Sequence, residues 1–216
     1  MAQKKIDPDL LRMKRILKAL KKEYPESKCS LYYETPFQLL VATILSAQCT
    51  DARVNQVTPV LFAQYPDAYS MSQTTQKKIE KIIRSTGFYQ SKAKSLLSTS
   101  KDLVEFHGGE VPKDLDALIE LRGVGRKTAN VVLGEAYGIP GLVVDTHVGR
   151  ISRRMGFTDA TNPVIVEREM MEIVPKKDWV IYSHLLIDHG RAVCTSRKAK
   201  CDDCVFWQDC PKIGVS

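Results

Sequence analysis

Apolar residues recur every three or four positions along most of the chain, a spacing that places them on one face of an α-helix. The first such run follows Asp7-Pro8, where a capping residue precedes proline, as at many helix starts. Other runs end near Gly108 and Gly138, where glycine is expected to stop a helix. The last three predicted helices cover Asp145–Met155, Pro163–Ile173 and Asp178–His189. Only Leu142–Val144 resembles a strand, so the pattern predicts an all-α fold.

The length and composition predict a folded protein with one large domain or two small ones, since 44% of the 216 residues are hydrophobic. The best candidate boundary is the segment from Gly138 to Gly141. No apolar run approaches the roughly 18 residues of a membrane span, and the N-terminus lacks the apolar centre of a secretion signal. We therefore expect a cytoplasmic, nucleoid-associated protein with no membrane partner.

The formal net charge of +7 favours a polyanionic partner, because neutralising phosphates releases counterions and gives affinity for any nucleic-acid sequence. A modest positive excess also occurs in proteins that bind no nucleic acid. Charge alone therefore leaves DNA or RNA binding open, and more specific features must decide.

Four of the six cysteines lie in one short segment near the C-terminus, at Cys194, Cys201, Cys204 and Cys210. In a chain without a secretion signal, such crowding indicates metal ligation rather than disulfides. Four thiolates can close a tetrahedral zinc site or hold an iron–sulfur cluster, and the ligand type leaves both open. Basic residues of this segment are expected to meet DNA phosphates, namely Arg197, Lys198 and Lys200. The other two cysteines, Cys29 and Cys49, are predicted to be small buried apolar residues.

A turn bracketed by Gly123 and Gly125 joins two short predicted helices, and Arg126 and Lys127 follow it directly. Glycine lets the backbone approach a ligand closely, while the next helix presents unpaired amides and its positive end. With the positive net charge, this arrangement favours phosphate binding by the two glycines and Arg126 over an ordinary tight turn. Taken alone, Lys127 would be one more phosphate-contacting lysine and Asp145 a simple helix N-cap.

Several short segments share a pattern and occur in a fixed order. They are Leu45–Gln48 with Thr50-Asp51, Gly123–Asn130, Val144–Val148 and the C-terminal cysteines. Together they resemble the endonuclease III family of helix-hairpin-helix DNA glycosylases and AP lyases, and they cover nearly the whole chain. The resemblance assigns a [4Fe–4S] cluster, rather than zinc, to the four cysteines.

The resemblance also implies a two-domain fold with the active-site cleft between the domains. A six-helix barrel is expected over residues 29–139, with the helix-hairpin-helix motif near 115–137. Residues 1–28 plus 140–216 are expected to form the iron–sulfur cluster domain, with the cluster loop at 194–210.

As implied by the resemblance, Lys127 is the nucleophile of a bifunctional enzyme. Its amine would attack the sugar carbon of a damaged nucleotide, expel the base as a Schiff base forms, and cleave the strand 3′ to the abasic site by β-elimination. Only a neutral amine attacks, so desolvation by bound DNA is expected to assist. Asp145 would face the lysine and stabilise the electron-poor sugar while assisting proton transfer.

An enzyme of this class must flip its target base out of the duplex and fill the hole that is left. Gln48 matches the family's gap-filling glutamine, and Phe88 falls where relatives place an apolar wedge. Phe88 would otherwise be an ordinary core residue after a helix end. Asp51 is a candidate for the pocket of the flipped base, or else a helix cap.

The expected substrate is duplex DNA with an oxidised pyrimidine or an abasic site, and the expected state is a monomer. The alternatives are a mismatch-specific glycosylase on the same fold and a non-catalytic helix-hairpin-helix DNA-binding protein. Lys127 argues against the first, because thymine-mismatch relatives typically carry tyrosine there and adenine-removing relatives lack the lysine. The chain departs from the family pattern at Arg122, where relatives usually have proline. This change removes some rigidity from the turn and offers a further phosphate contact.

Overall fold

The structure of the protein is a computed structural model that describes residues 7–215. Regular structure in this part of the chain is helical, apart from one isolated antiparallel bridge between Cys194 and Ala199. The all-α prediction is confirmed, and the strand-like segment Leu142–Val144 is an extended stretch without a strand partner among the described residues. Residues 1–6 and 216 of the expected cluster domain lie outside the described residues.

Eleven α-helices follow one another in the described chain. They are α1 (Pro8–Glu23), α2 (Pro36–Ser46), α3 (Asp51–Gln64), α4 (Ala68–Ser72), α5 (Gln76–Ile83), α6 (Tyr89–His107), α7 (Leu115–Glu120), α8 (Arg126–Tyr137), α9 (Thr146–Arg154), α10 (Pro163–Ile173) and α11 (Trp179–Ala192). Most begin at a side-chain cap. The Asp7 carboxylate accepts a bond from the Asp9 amide at 2.8 Å, as the Asp7-Pro8 signal predicts. Within the described residues, no helix is long and apolar enough to cross a membrane.

The chain divides into two compact units, one formed by Ser30–Ile139 and the other by Met1–Cys29 with Pro140–Ser216. In the first unit, α2 is the central helix. It is buried from Phe37 through Leu45 and packs against α3, α6 and α8. A helix that is apolar on all sides is stable only when surrounded by other elements, so α2 supplies the core on which the remaining helices assemble.

The second unit, formed by the two ends of the chain, has its own apolar core. α1 contributes its buried stripe of Met13, Ile16, Leu17 and Leu20, and α9, α10, α11 and the segments that connect and follow them contribute the rest. Polar contacts support the packing: Lys21 pairs with Asp178 at 2.6 Å, and the Arg12 guanidinium lies 3.9 Å from the centre of the Phe157 ring. Each unit therefore has the buried core expected of a domain.

One helix end was predicted wrongly. The pattern ended the last long helix at His189, but α11 continues through Gly190 to Ala192. A Cβ atom on Gly190 would lie 2.5 Å from His147 Nδ1, so glycine allows α9 and α11 to pack closely here. A helix interior can require glycine for such a contact, and the local sequence does not reveal it.

The two isolated cysteines also differ from the prediction. Cys29 and Cys49 are half-buried rather than fully enclosed. They are therefore not part of the packed core.

Candidate functional site: a helical hairpin, two strained loops and a cysteine cavity

The predicted helix-hairpin-helix is present as α7, a short turn and α8. The Asp114 side chain caps α7 by accepting a bond from the Ala117 amide at 2.9 Å. The N-cap of α8 is Gly125, which has no side chain to bond the first amides of that helix. These amides and the positive end of the helix are therefore available to a ligand at the turn. A bound phosphate needs such donors and such a positive end.

Helix α6 anchors the turn. The Thr99 hydroxyl donates to the Arg122 carbonyl at 2.7 Å, and Gly123 adopts φ +80° against Ser95. A Cβ atom on Gly123 would lie 2.8 Å from the Ser95 side chain, so neither the backbone angle nor the available space suits another residue. Arg122, the departure from the family pattern, has an exposed side chain. Its main-chain carbonyl thus contributes to the anchor while its side chain stays accessible.

Lys127 is exposed in the first turn of α8, two residues after Gly125. Arg126 is exposed beside it, while Ala129 and Asn130 in the next turn of the helix are buried. The amine therefore lies at the positive end of a well-packed helix. This position is accessible to a large substrate and is set by a rigid element.

Asp145 is the N-cap of α9, as the simple alternative for this residue predicts. Its Oδ1 accepts a bond from the Val148 amide at 2.8 Å, and the residue is half-buried. The preceding chain is fixed by the Ser183 hydroxyl, which accepts from the Val143 amide at 3.0 Å. The cap fixes one carboxylate oxygen and leaves the second oxygen able to face a ligand.

The loops that carry Gln48 and Phe88 are strained in the same way. Gln48 has φ +51° and Phe88 has φ +47°, and Lys212 is the only other non-glycine residue with positive φ in the described chain. Both side chains are exposed, Phe88 to 67%. The core alternative for Phe88 is therefore wrong, and the exposed, strained aromatic residue fits a wedge.

Asp51 is not the residue that caps helix α3. Thr50 caps α3 by accepting from the Arg53 amide at 3.3 Å, and Asp51 is the first residue of the helix itself. Its Oδ2 accepts a bond from the Ser30 hydroxyl at 2.6 Å. The capping alternative for Asp51 is thus excluded, while its proposed place in the base pocket stays a prediction.

The four C-terminal cysteines line one cavity together with Arg154, His189 and Phe206. Among the described residues, no three His, Cys, Asp or Glu side chains come together closely enough to hold a single metal ion. Each thiol is half-buried. The thiols therefore surround a space rather than converge on a point.

Burial governs the protonation of the thiol and imidazole groups that line this cavity. It raises the pKa of the Cys204 thiol to about 11, and the neighbouring thiols add to the effect. Burial also lowers the pKa of His189 to about 4, so this imidazole is neutral at pH 7. His189 lies between the Tyr24 hydroxyl at 3.0 Å and Cys204 Sγ at 3.5 Å. Thiolates in such a site need a cation to stabilise them.

Two arginines on α9 that the sequence analysis missed hold the cysteine loop. Arg154 donates to Cys194 Sγ at 3.2 Å and to the Thr195 carbonyl at 2.7 Å, and Arg150 donates to the Cys194 carbonyl at 2.9 Å. Their spacing of four residues on one helix was a signal for a shared target. Arg197, Lys198 and Lys200 of the cysteine loop are exposed, and their contact with DNA phosphates stays a prediction.

Comparison with known proteins agrees with this arrangement. Residues 41–176 match the family described as HhH-GPD superfamily base excision DNA repair protein. Endonuclease III of Synechocystis sp. is 52% identical over 95% of this chain and 94% of its own length. A solved structure described as a non-covalent Endonuclease III–DNA complex has a TM-score of 0.88 at 40% identity, covering 94% of this chain and 95% of that one. A second, described as a trapped Endonuclease III–DNA covalent intermediate, has the same TM-score and identity, covering 94% and 96%.

The fold and the hairpin thus define a helix-hairpin-helix enzyme of base excision DNA repair, of the DNA glycosylase and AP lyase class. Within that class, the chain belongs to the endonuclease III family. Both the sequence identity and its extent over nearly the whole chain support this assignment. DNA is accordingly the partner for which the hairpin is built.

Proposed function

We propose that the protein removes oxidised pyrimidines from duplex DNA and then cleaves the strand 3′ to the resulting abasic site, with Lys127 as the nucleophile. The observation that carries the proposal is the exposed Lys127 amine in the first turn of α8, directly after a glycine turn that presents backbone amides. A phosphate bound at those amides would bring the neighbouring sugar towards the amine. The similarity to a structure described as a trapped covalent intermediate supports the same chemistry.

The proposed reaction begins with attack of the lysine amine on the sugar and ends with hydrolysis of an imine. The Lys127 Nζ lone pair forms a bond to C1′ as the base leaves with the electrons of the glycosidic bond and takes up a proton. The attached nitrogen then loses a proton, its lone pair breaks the C1′–O4′ bond to give a protonated imine, and O4′ takes up a proton. Loss of a C2′ proton then expels the 3′-phosphate oxygen and breaks the strand, and water hydrolyses the imine to restore lysine.

Asp145 would assist at the same sugar. The Val148 amide fixes one of its oxygens at 2.8 Å, which leaves the other for charge stabilisation or proton transfer. Its anchoring in the N-cap lowers the conformational freedom of the carboxylate before substrate binds. The cap and the catalytic role are therefore compatible, and the first supports the second.

Several groups of one unit would bind the DNA around the flipped base. The turn glycines and Arg126 would contact a phosphate, while Gln48 and Phe88 would enter the space that the base leaves. Asp51 would contribute to the pocket of the flipped base. Arg197, Lys198 and Lys200 of the other unit would add phosphate contacts.

The donor set of the cysteine cavity, four half-buried thiols, fits a [4Fe–4S] cluster. Membership of the endonuclease III family supports the cluster over a zinc ion. Cys194, Cys201, Cys204 and Cys210 would hold the cluster. When bound, it supplies the positive charge that favours the thiolate forms and fixes the loop.

Borohydride trapping tests the proposal. Wild-type protein incubated with a duplex containing an oxidised pyrimidine or an abasic site is expected to give a covalent adduct after reduction. Lys127→Ala should give none and should slow base removal by at least about 100-fold, since the nucleophile is lost. Lys94→Ala, which removes an exposed lysine of α6, is the matched control.

No adduct with the wild type, or an undiminished adduct with Lys127→Ala, would overturn the nucleophile assignment. A duplex panel tests the substrate. Faster removal of thymine from a mismatch with guanine than of an oxidised pyrimidine would replace the proposed substrate. Elemental analysis of the purified protein tests the cofactor, with iron and sulfide expected and a single zinc as the contrary result.

A further inference from the structure

A buried lysine connects the two strained loops of Gln48 and Phe88. Lys92 lies in the first turns of α6 and is only 6% exposed. Its Nζ donates to the Leu45 carbonyl at 2.8 Å and to the Thr86 carbonyl at 2.6 Å. These carbonyls precede Gln48 by three residues and Phe88 by two, so one ammonium group bonds the base of both loops.

The two loops are also neighbours. A Cβ atom placed on Gly87 would lie 4.0 Å from the Gln48 carbonyl oxygen, so the backbones of the two loops run close to each other. Left-handed backbone at a non-glycine residue costs about 1–3 kcal/mol and persists only where the surroundings enforce it. Two such residues side by side therefore require a common restraint.

We propose that Lys92 is a positioning residue that acts through Gln48 and Phe88, holding the two side chains together in the conformation that fills the DNA after the base has flipped out. This inference rests on the proposed function, in which these two side chains enter the duplex. Lys92 itself does not touch the substrate.

The chemistry of the site explains why a lysine is needed. The Leu45 carbonyl belongs to the last turn of α2, where carbonyls lack helical partners and the dipole is negative, and the Thr86 carbonyl comes from a separate segment. An ammonium with three donors satisfies both at once, as an apolar side chain cannot. Burial lowers the pKa of Lys92, and the nearby Cys49 opposes that effect. Burying an amine is costly unless it is hydrogen-bonded, and the two loop carbonyls supply those bonds.

The test separates insertion into DNA from general folding. Single-turnover excision of an oxidised pyrimidine from a duplex requires a paired base to be displaced, whereas trapping at a preformed abasic site does not. Both are measured at saturating enzyme for wild type, Lys92→Met and the exposed-lysine control Lys94→Met. Lys92→Met is expected to slow excision about tenfold, because the inserted side chains are positioned less well, and to change trapping by less than about twofold.

A double-mutant cycle tests the route of the effect. If Lys92 acts through the inserted side chains, Lys92→Met should slow excision little further in a background of Gln48→Ala with Phe88→Ala. If Lys92→Met does not fold, Lys92→Arg is tested in the same way, because it keeps the charge but alters the donor geometry. Its expected result is the same selective loss in excision.

Equal losses in excision and trapping, no loss in either, or full additivity in the cycle would each overturn the positioning role. Failure of the proposed function is distinguishable from these outcomes. In that case the wild type itself would give no borohydride adduct at the preformed abasic site, whatever residue occupies position 92.

Discussion

The hairpin (Leu115–Tyr137) and the cysteine loop (residues 194–210) both present positive groups, but they are held in different ways. The hairpin is built from two helices whose turn is bonded to α6 by Thr99 and packed against it at Gly123. The cysteine loop has only short 3₁₀ turns and one bridge, and its thiols surround a cavity. The hairpin therefore takes its shape from backbone and packing. The loop is held at its first residues by Arg150 and Arg154, and we expect the rest of its shape to depend on what its thiols bind.

The sharpest test of this difference is Cys204→Ser, for which we expect the largest effect. Loss of a ligand should destabilise the cluster, and binding of a structural metal group contributes folding free energy directly. The expected result is a large fall in soluble yield and in the unfolding temperature of the unit that contains α9–α11. Cys49→Ser, at a half-buried cysteine outside the loop, is the control and should change both only slightly. Equal effects of the two substitutions would show that the loop holds its shape without a bound group.

The hairpin should instead be sensitive to backbone geometry. Gly123→Ala is expected to lower the free energy of unfolding by about 2 kcal/mol or more, since it adds left-handed strain to a close contact with Ser95. The control is Gly125→Ala, because that position has φ −97° and open space. Denaturant unfolding measures both. In the double variant with Ser95→Gly, part of the loss should return, and an absence of any recovery would contradict the packing explanation.

A smaller effect is expected at the hydrogen bond that anchors the turn. Thr99→Val keeps the shape of the side chain but leaves the Arg122 carbonyl without its donor, which should cost about 1 kcal/mol of stability. It should also weaken binding to duplex DNA. Ser100→Ala removes a hydroxyl that bonds only within α6, to Leu96, and should leave DNA affinity unchanged. If both variants bind DNA like the wild type, the anchor does not position the turn for phosphate.

The smallest effect concerns the rim of the cysteine loop. Lys198→Gln is expected to reduce the slope of log affinity against log salt by about 0.9, the value for one phosphate contact on duplex DNA. Lys177→Gln, an exposed lysine outside the loop, should leave the slope unchanged. Titrations at several salt concentrations measure it. A lower affinity with the same slope would mean that Lys198 acts on the loop and not on phosphate.

Features that depend on a few neighbouring residues were predictable. The start of α8 after Gly125 and the cap at Asp145 follow from local residue types. The continuation of α11 through Gly190 and the role of Lys92 were not, because each depends on a contact with a residue more than 40 positions away. Thr86 is close to Lys92 in sequence, but the hydrogen bond between them depends on a loop conformation that hydrophobic periodicity does not encode.

The division of the chain has a consequence for synthesis on the ribosome. The unit formed by Ser30–Ile139 is continuous, so all of its residues are available once Ile139 has emerged. The other unit buries α1 against α10 and α11, which are made last. The apolar stripe of α1 is therefore synthesised more than 100 residues before the helices that cover it. During that interval, exposed apolar surface is prone to misassociation. Synthesis from the N-terminus therefore favours early folding of the continuous unit. The strained loops and the hairpin would then be complete before the cysteine cavity can close.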